Sequence, residues 1–329
     1  EQGGFRQGMG PEETLLLVTE ELHARTHKKG ADYRAANAVY LDLSKAFDRV
    51  NRPVLRAKLE ELGVHGPMLE TLSSFLTATT QQTRVDQQLS ATLENEHGTP
   101  QGSALSPILF AAFMEGVAGR LRSRVVLFAD DMTLLNISAT RVQQVTELRA
   151  DLEELGRWAE ETGMVFNGGK SKHVEHRAAD QPATKTQPKL TLAGETVPSE
   201  TQAILLGVVL TATLDFNNHV EQVTIPRLRG QLGYTKHLLP RGGTGHRRMA
   251  TTLYCGVARS AAEYGSAVWS LGLDDAKATT LERLQLTFAR YATGCHGKTP
   301  DAALRVEAGW MTLAKRRRNA RLSLWHRVL

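Results

Sequence analysis

Three aspartates carry the chemistry that this sequence offers most plainly. Asp42 stands in AVYLDLSKAFDRVN, at or near the C-terminal end of an apolar strand and just before a short turn into helix. A carboxylate emerging there is costly unless something positive meets it. Asp130 and Asp131 are adjacent in VVLFADDMTLL, at a tight turn between two apolar strands. Neighbouring carboxylates repel, so a divalent cation is their natural partner. If the two segments are adjacent strands of one sheet, three carboxylates converge at one edge, as two Mg²⁺ ions roughly 3.5 to 4 Å apart require. Such ions assist displacement at phosphorus and leave the protein the task of positioning. Alone, an acidic pair in a hairpin turn is ordinary turn chemistry. The combination with Asp42 points further.

The elements that must position these acids follow from the pattern around them. Pro11 with Glu12 and Glu13 opens a helix reaching about Lys29, and Asn37 to Leu43 alternate as a strand. A helix over RPVLRAKLEEL closes at Gly63, and a second spans about Pro67 to Thr77. Polar, β-favouring residues 81–97 suggest a hairpin. Helix is expected from about Ser103 to Leu121, strands at Val125 to Phe128 and Thr133 to Ile137, and a long helix from about Arg141 to Glu161. Short strands are expected at 189–198, turning at Gly194, and at Ala203 to Leu210; beyond Phe216 the pattern is almost wholly helical. This order implies an α+β domain over 1–210 and a basic helical domain over 211–329.

Composition suits a soluble globular chain: 41% hydrophobic and 23% charged among 329 residues. Charge is lopsided. Residues 1–215 hold 22 Lys and Arg against 28 Asp and Glu, and residues 216–329 hold 18 against 7. A cationic segment beside a slightly acidic one suits a protein that grips a phosphate backbone with one part and binds cations with the other. Cys255 and Cys295 form no metal-ligand pattern and are expected as reduced thiols. No apolar run approaches the roughly 18 to 20 residues that cross a bilayer, and the start carries no signal pattern. A soluble protein of the nucleus, the cytoplasm or both is expected, not a secreted or membrane one. The first residue is Glu, and the last stretch reads as helix without a stop signal, so the chain looks excised from a longer polypeptide.

Three ordered segments resemble reverse transcriptases: YLDLSKAFDRVN is similar to their motif A, GTPQGSALSPILF to motif B and FADD to motif C. GFRQG near the start, FNGGKSK and LLGV at 205–208 resemble further blocks in the expected order. The KAFD and PQGS forms most resemble LINE-type (non-LTR) retrotransposons of the jockey or ingi kind. The resemblance implies a right-hand polymerase: a palm with an RRM-like antiparallel sheet, partial fingers, and a helical thumb or connection. It implies an RNA-directed DNA polymerase that takes an RNA template, a DNA primer, dNTPs and two Mg²⁺ ions, with Mn²⁺ as a substitute.

Carried over by position, the catalytic acids and metal ligands fall on Asp42, Asp130 and Asp131, with the Leu43 carbonyl completing a metal shell. Lys45 and Ala46 would offer backbone N–H groups to the triphosphate. Phe47 matches the ring that excludes a ribose 2′-hydroxyl. Gln101 and Gly102 match the segment at the incoming nucleotide and templating base, with Gly permitting close backbone approach. Lys170 matches a general acid near the pyrophosphate, with Lys172 as fallback. Leu206 and Gly207 resemble the turn that supports the primer terminus. Asp48 reads as a helix-start contact outside the site. Arg227, Arg229, Arg247, Arg248 and Lys315 to Arg318 would let the thumb track an RNA·DNA duplex. Phe128 stands where the family commonly has Tyr, and the upstream finger strands that clamp the triphosphate lie outside the sequence. Two other readings stay open: a degenerate copy that only binds nucleic acid, and a reverse transcriptase of the group II intron or retron kind.

Overall fold

The computed structural model describes residues 2–28, 33–77, 79–239 and 245–328. The chain divides into two compact units, Glu1–Ala203 and Ile204–Leu329.

The first unit opens with α1 (Pro11–Thr26), where Pro11 presets the first turn and the Glu13 carboxylate accepts the Gly10 amide at 2.9 Å. Lys29, the helix end expected from the sequence, lies outside the described residues. β1 (Ala35–Leu41) follows and is buried along its whole length. After a 3₁₀ turn at Ala46–Arg49 come α2 (Arg52–Glu61) and α3 (Gly66–Leu76). Asn51 caps α2 by accepting the Val54 amide at 3.2 Å. The expected hairpin consists of two nested ladders: β2 (Thr80–Gln81) and β3 (Arg84–Val85) return as β4 (Gln88–Leu89) and β5 (Leu93–Glu94).

α4 (Ser106–Met114) is shorter than the expected helix over 103–121, because Gly116 adopts φ +83 and only a 3₁₀ turn at Ala118–Arg120 follows. β6 (Arg124–Phe128) and β7 (Asp131–Asn136) form a hairpin with a two-residue turn, and α5 (Arg141–Thr162) runs from a Thr140 cap to Gly163 in the left-handed conformation. β8 (Lys172–Arg177), β9 (Leu190–Leu192), β10 (Glu195–Val197) and β11 (Ser199–Glu200) complete the unit.

The main sheet has the order β11-β8-β1-β7-β6, antiparallel except for the short β11–β8 pair. Trp158, Leu148 and Leu155 of α5 pack with Val39 and Leu134 of the sheet and with Phe110 and Phe113 of α4 in one buried core. Each such side chain contributes about 1.5 to 3 kcal/mol by burial.

β8 corrects the sequence reading, which placed no strand between FNGGKSK and residue 189. KHVEHR is polar and lacks the apolar alternation of a half-buried strand, yet His173, Val174 and His176 are fully buried. A polar network replaces the missing apolar signal. The His173 ring bonds Asn37 Oδ1 at 2.8 Å and Ser199 Oγ at 2.9 Å, and Asn37 donates to Gln144 Oε1 at 2.8 Å. His176 Nε2 meets the Tyr40 hydroxyl at 2.8 Å. Buried polar groups are tolerated when so paired.

The second unit begins within the hairpin of β12 (Gln202–Leu205) and β13 (Val208–Thr211). Its turn residues, Leu206 at φ +47 and Gly207 at φ +77, both take the left-handed conformation of a type I′ turn. α6 (Asn217–His219) runs through a π turn into α7 (Ile225–Leu238). α8 (His246–Leu253), α9 (Arg259–Glu263), α10 (Ser266–Trp269), α11 (Asp275–Thr293), α12 (Asp301–Ala308) and α13 (Leu313–Val328) follow. Trp269, Tyr254 and Phe288 are among its buried side chains. Among the described residues no helix is long and apolar enough to cross a membrane.

A deeply buried histidine in each unit is kept neutral by burial, His173 in the first and His219 in the second. Burial lowers His173 to about 4, outweighing the attraction of Glu175, and lowers His219 to about 4. Their stabilising contribution is complete above the unfolded value of about 6.5 and is lost as pH falls toward 4, by up to about 1.4 kcal/mol per pH unit for each. Thermal unfolding should therefore show a falling midpoint between pH 7 and pH 4.5. His173→Gln should flatten that decline for the first unit, and an unchanged slope would contradict the assignment.

Candidate active site

Strand register places the three acids. β1 pairs with β7 so that Leu41 faces Met132, and carrying the register one residue further sets Asp42 opposite Asp131. β6 pairs with β7 so that Phe128 faces Asp131, which leaves Ala129 and Asp130 as the turn. Ala129 holds φ +54 there. A side chain in that left-handed region costs on the order of 1 kcal/mol or more and persists where the surroundings impose it.

Asp42 and Asp130 both lie within electrostatic reach of Asp131. Partial desolvation first, then repulsion from Asp130 and from Asp42, raises the Asp131 carboxyl above the usual range although the residue lies at the solvent rim. Among the described residues no Lys, Arg or His pairs with any of the three. Asp151 is the contrast. It is almost fully buried, and its carboxylate accepts the amides of Arg122 and Ser123 at 2.8 and 2.9 Å. As the side chains stand, no three acidic, His or Cys groups among the described residues are close enough to share one ion. An all-oxygen, anionic and unpaired donor set fits a hard divalent cation.

The backbone around Asp42 is held from two sides. Its amide donates to Ser171 Oγ at 3.1 Å, and its carbonyl accepts the Asn167 amide at 2.9 Å. Ser44 donates to the Val165 carbonyl, so the Leu43 carbonyl between these bonds stays outside the pairing. The same loop carries Lys170, exposed and free of any acidic partner among the described residues. Lys172 instead lies within β8, opposite Tyr40.

Lys45 is exposed at φ +50, and Ala46 begins the 3₁₀ turn. Amides that open a helix have no intrahelical acceptor. The GTPQG loop is tied to this turn, Thr99 donating to the Phe47 carbonyl at 2.9 Å and Gly98 to the Val50 carbonyl at 2.8 Å. Arg52 clamps the start of this loop, donating to the carbonyls of Gly98 and His97 at 3.0 Å each. Gly102 needs glycine for its φ of +85, and a Cβ there would meet open space. Lys45, Asp48, Thr80, Asn95 and Gln101 line an open cleft of about 720 Å³. Phe47 stacks on buried Phe110 at 4.3 Å between ring centroids.

Asp48, which the sequence reading left outside the site, accepts the Gln101 side-chain amide at 2.8 Å. Nothing in the order KAFD…PQG signals that contact; only the packing of the loop on the turn creates it. In the second unit the Tyr264 hydroxyl donates to the Leu206 carbonyl at 2.9 Å, bracing the type I′ turn. The basic run divides there. Arg316 pairs with Glu263 and Arg317 is buried, which leaves Lys315 and Arg318 exposed. Arg227, Arg229 and Arg248 are exposed, and Arg247 pairs with Glu307 at 2.6 Å.

The family profile described as "Reverse transcriptase (RNA-dependent DNA polymerase)" matches residues 2–210. The chain belongs to this reverse transcriptase family. The probable RNA-directed DNA polymerase from transposon X-element of Drosophila melanogaster is 26% identical over 299 residues, 89% of this chain and 32% of its own length. The RNA-directed DNA polymerase from mobile element jockey of Drosophila funebris is 28% identical over 228 residues, 67% of this chain and 24% of its own. This reverse transcriptase chain thus spans about a third or less of those curated relatives. A solved telomerase from Candida albicans, in complex with a fragment of telomeric RNA, is similar over 92% of this chain and 54% of its own, with 13% identity and a TM-score of 0.45.

Mutual repulsion at the acids gives a direct expectation. Asp131→Asn should raise the metal-free unfolding midpoint at pH 7, by on the order of 1 °C because surface repulsion is screened. The advantage should shrink as acid protonates the wild-type carboxyl. Mg²⁺ should stabilise the wild type more than Asp131→Asn, and equal stabilisation of both in thermal melts would contradict the site.

Proposed function

We propose that this chain is the polymerase part of a non-LTR retrotransposon reverse transcriptase, extending a DNA 3′ end with deoxynucleotides on an RNA template. The observation that carries the reading is the convergence of Asp42, Asp130 and Asp131 at one end of an antiparallel sheet without a cationic partner. Held by these acids and the Leu43 carbonyl, two Mg²⁺ ions, replaceable by Mn²⁺, would lower the pKa of the primer hydroxyl and neutralise charge on the leaving pyrophosphate.

The chain's own residues do the positioning. Amides of Lys45 and Ala46 face the triphosphate, and the Phe47 ring lies under the sugar, where a 2′-hydroxyl would collide with it. Gln101, which lines the cleft, and Gly102 after it meet the incoming nucleotide and the templating base, and Lys170 holds a proton within reach of the departing pyrophosphate. Residues 1–210 serve as palm and partial fingers. Residues 211–329 serve as thumb and C-terminal extension, with exposed Arg227, Arg229 and Arg248 on the duplex backbone. Nucleus and cytoplasm are the compartments in which such an enzyme meets its template.

Primer extension tests the proposal with poly(rA), oligo(dT), dTTP and Mg²⁺. The wild-type chain should incorporate dTTP, and Asp130→Ala should lose on the order of a thousandfold in rate, since one metal ligand supports several kcal/mol of transition-state stabilisation. Incorporation by Asp130→Ala at the wild-type rate would overturn the reading. Salt-sensitive duplex binding without incorporation, even in a chain extended at its N-terminus, would favour a copy that only binds nucleic acid.

A further inference from the structure

The GFRQG block has no role in the mechanism above, yet the residues at its start touch both halves of the site. Gln2 pairs in parallel with Leu127, and the Gly3 amide donates to the Leu127 carbonyl at 2.7 Å, so this segment extends the sheet beyond β6. It reaches the turn that carries Asp130. Gln2 Oε1 accepts the Gly4 amide at 2.9 Å and the Ala129 amide at 3.2 Å. The fit leaves no room for side chains: a Cβ on Gly4 would lie 2.4 Å from the Ala129 nitrogen, and one on Gly3 would lie 2.5 Å from Thr14 Oγ1.

From this fixed anchor the chain turns sharply at Phe5, whose φ is +63. The Phe5 ring is about half exposed, at 53%, and meets the Phe47 ring edge to face, with centroids 6.2 Å apart and planes at 88°. Phe47 thereby meets two rings, stacking on the fully buried Phe110 and lying perpendicular to the exposed Phe5. An exposed aromatic in a backbone conformation that disfavours side chains is unusual, and such outliers persist where the surroundings over-determine them.

We propose that Phe5 is a positioning residue of the sugar gate: it fixes the Phe47 ring from the open side and so sets how strictly that ring excludes a 2′-hydroxyl. The proposal rests on the reading of Phe47 as the gate. Phe110 prevents the ring from sinking into the core, and Phe5 prevents it from swinging outward. Because Gln2, Gly3 and Gly4 tie the same segment to the Ala129 turn, the gate and Asp130 keep a common reference.

The test is single-nucleotide incorporation opposite poly(rA) with dUTP and with UTP, which carry the same base, in wild type, Phe47→Ala, Phe5→Ala, Phe5→Leu and Phe5→Tyr. Phe5→Ala should raise the efficiency with UTP relative to dUTP by roughly three- to tenfold, the worth of one edge-to-face ring pair. The change should appear mainly in KM for UTP. Phe5→Leu, which keeps apolar bulk and loses the ring, should lie between, and Phe5→Tyr should restore the wild-type ratio. If Phe47→Ala raises the ratio while Phe5→Ala and Phe5→Leu leave it at the wild-type value, the role of Phe5 is refuted and the gate reading stands. If Phe47→Ala leaves the ratio unchanged, or wild type incorporates neither nucleotide, the gate reading fails and the proposal falls with it. An equal loss with both nucleotides in Phe5→Ala would mark a purely structural residue and also refute it.

Discussion

Strand register is the constraint on which the candidate site of the first unit depends. β1 and β6 both pair with β7 in a fixed register, which brings Asp42 and Asp130 each within electrostatic reach of Asp131. A slip of one residue in either pairing would turn the acids to opposite faces of the sheet. The register is therefore strongly held. β1 is buried throughout, and the strands beside it supply the apolar partners. Stability is spent at the open end of the sheet and recovered in the core beneath it, the usual arrangement where a site must stay charged and preorganised.

The elements around the acids act by limiting motion. The loop of Asn167 and Ser171 fixes the Asp42 backbone, the bonds from Thr99 and Gly98 fix the turn after it, and the segment Gln2–Gly4 fixes the turn at Ala129. Lys45, Ala129 and Phe5 hold left-handed backbone beside the candidate site. Such strain is held where neighbouring structure imposes it.

Much of this was legible in the sequence. Apolar runs flanking Asp42 and the Asp130–Asp131 pair gave the strands, their periodicity gave α5, and the ordered motifs gave the family. What stayed hidden has physical reasons. β8 is a strand of histidine, lysine and glutamate whose burial depends on partners more than a hundred residues away, such as Asn37 and Tyr40. The bond between Asp48 and Gln101 exists only once the loop closes on the turn. In KRRR the sequence presents four equivalent charges, and only packing reveals that Arg316 and Arg317 are structural. Gly102 was expected to allow close approach; its φ of +85 is what demands glycine, and a Cβ there would meet open space.

The most direct test of the central claim is anomalous diffraction from crystals of the chain with primer, RNA template, incoming nucleotide and Mn²⁺. Manganese peaks bounded by the carboxylates of Asp42, Asp130 and Asp131 are the expected result. Peaks elsewhere, or a lysine or arginine pairing with those acids in their place, would contradict the account.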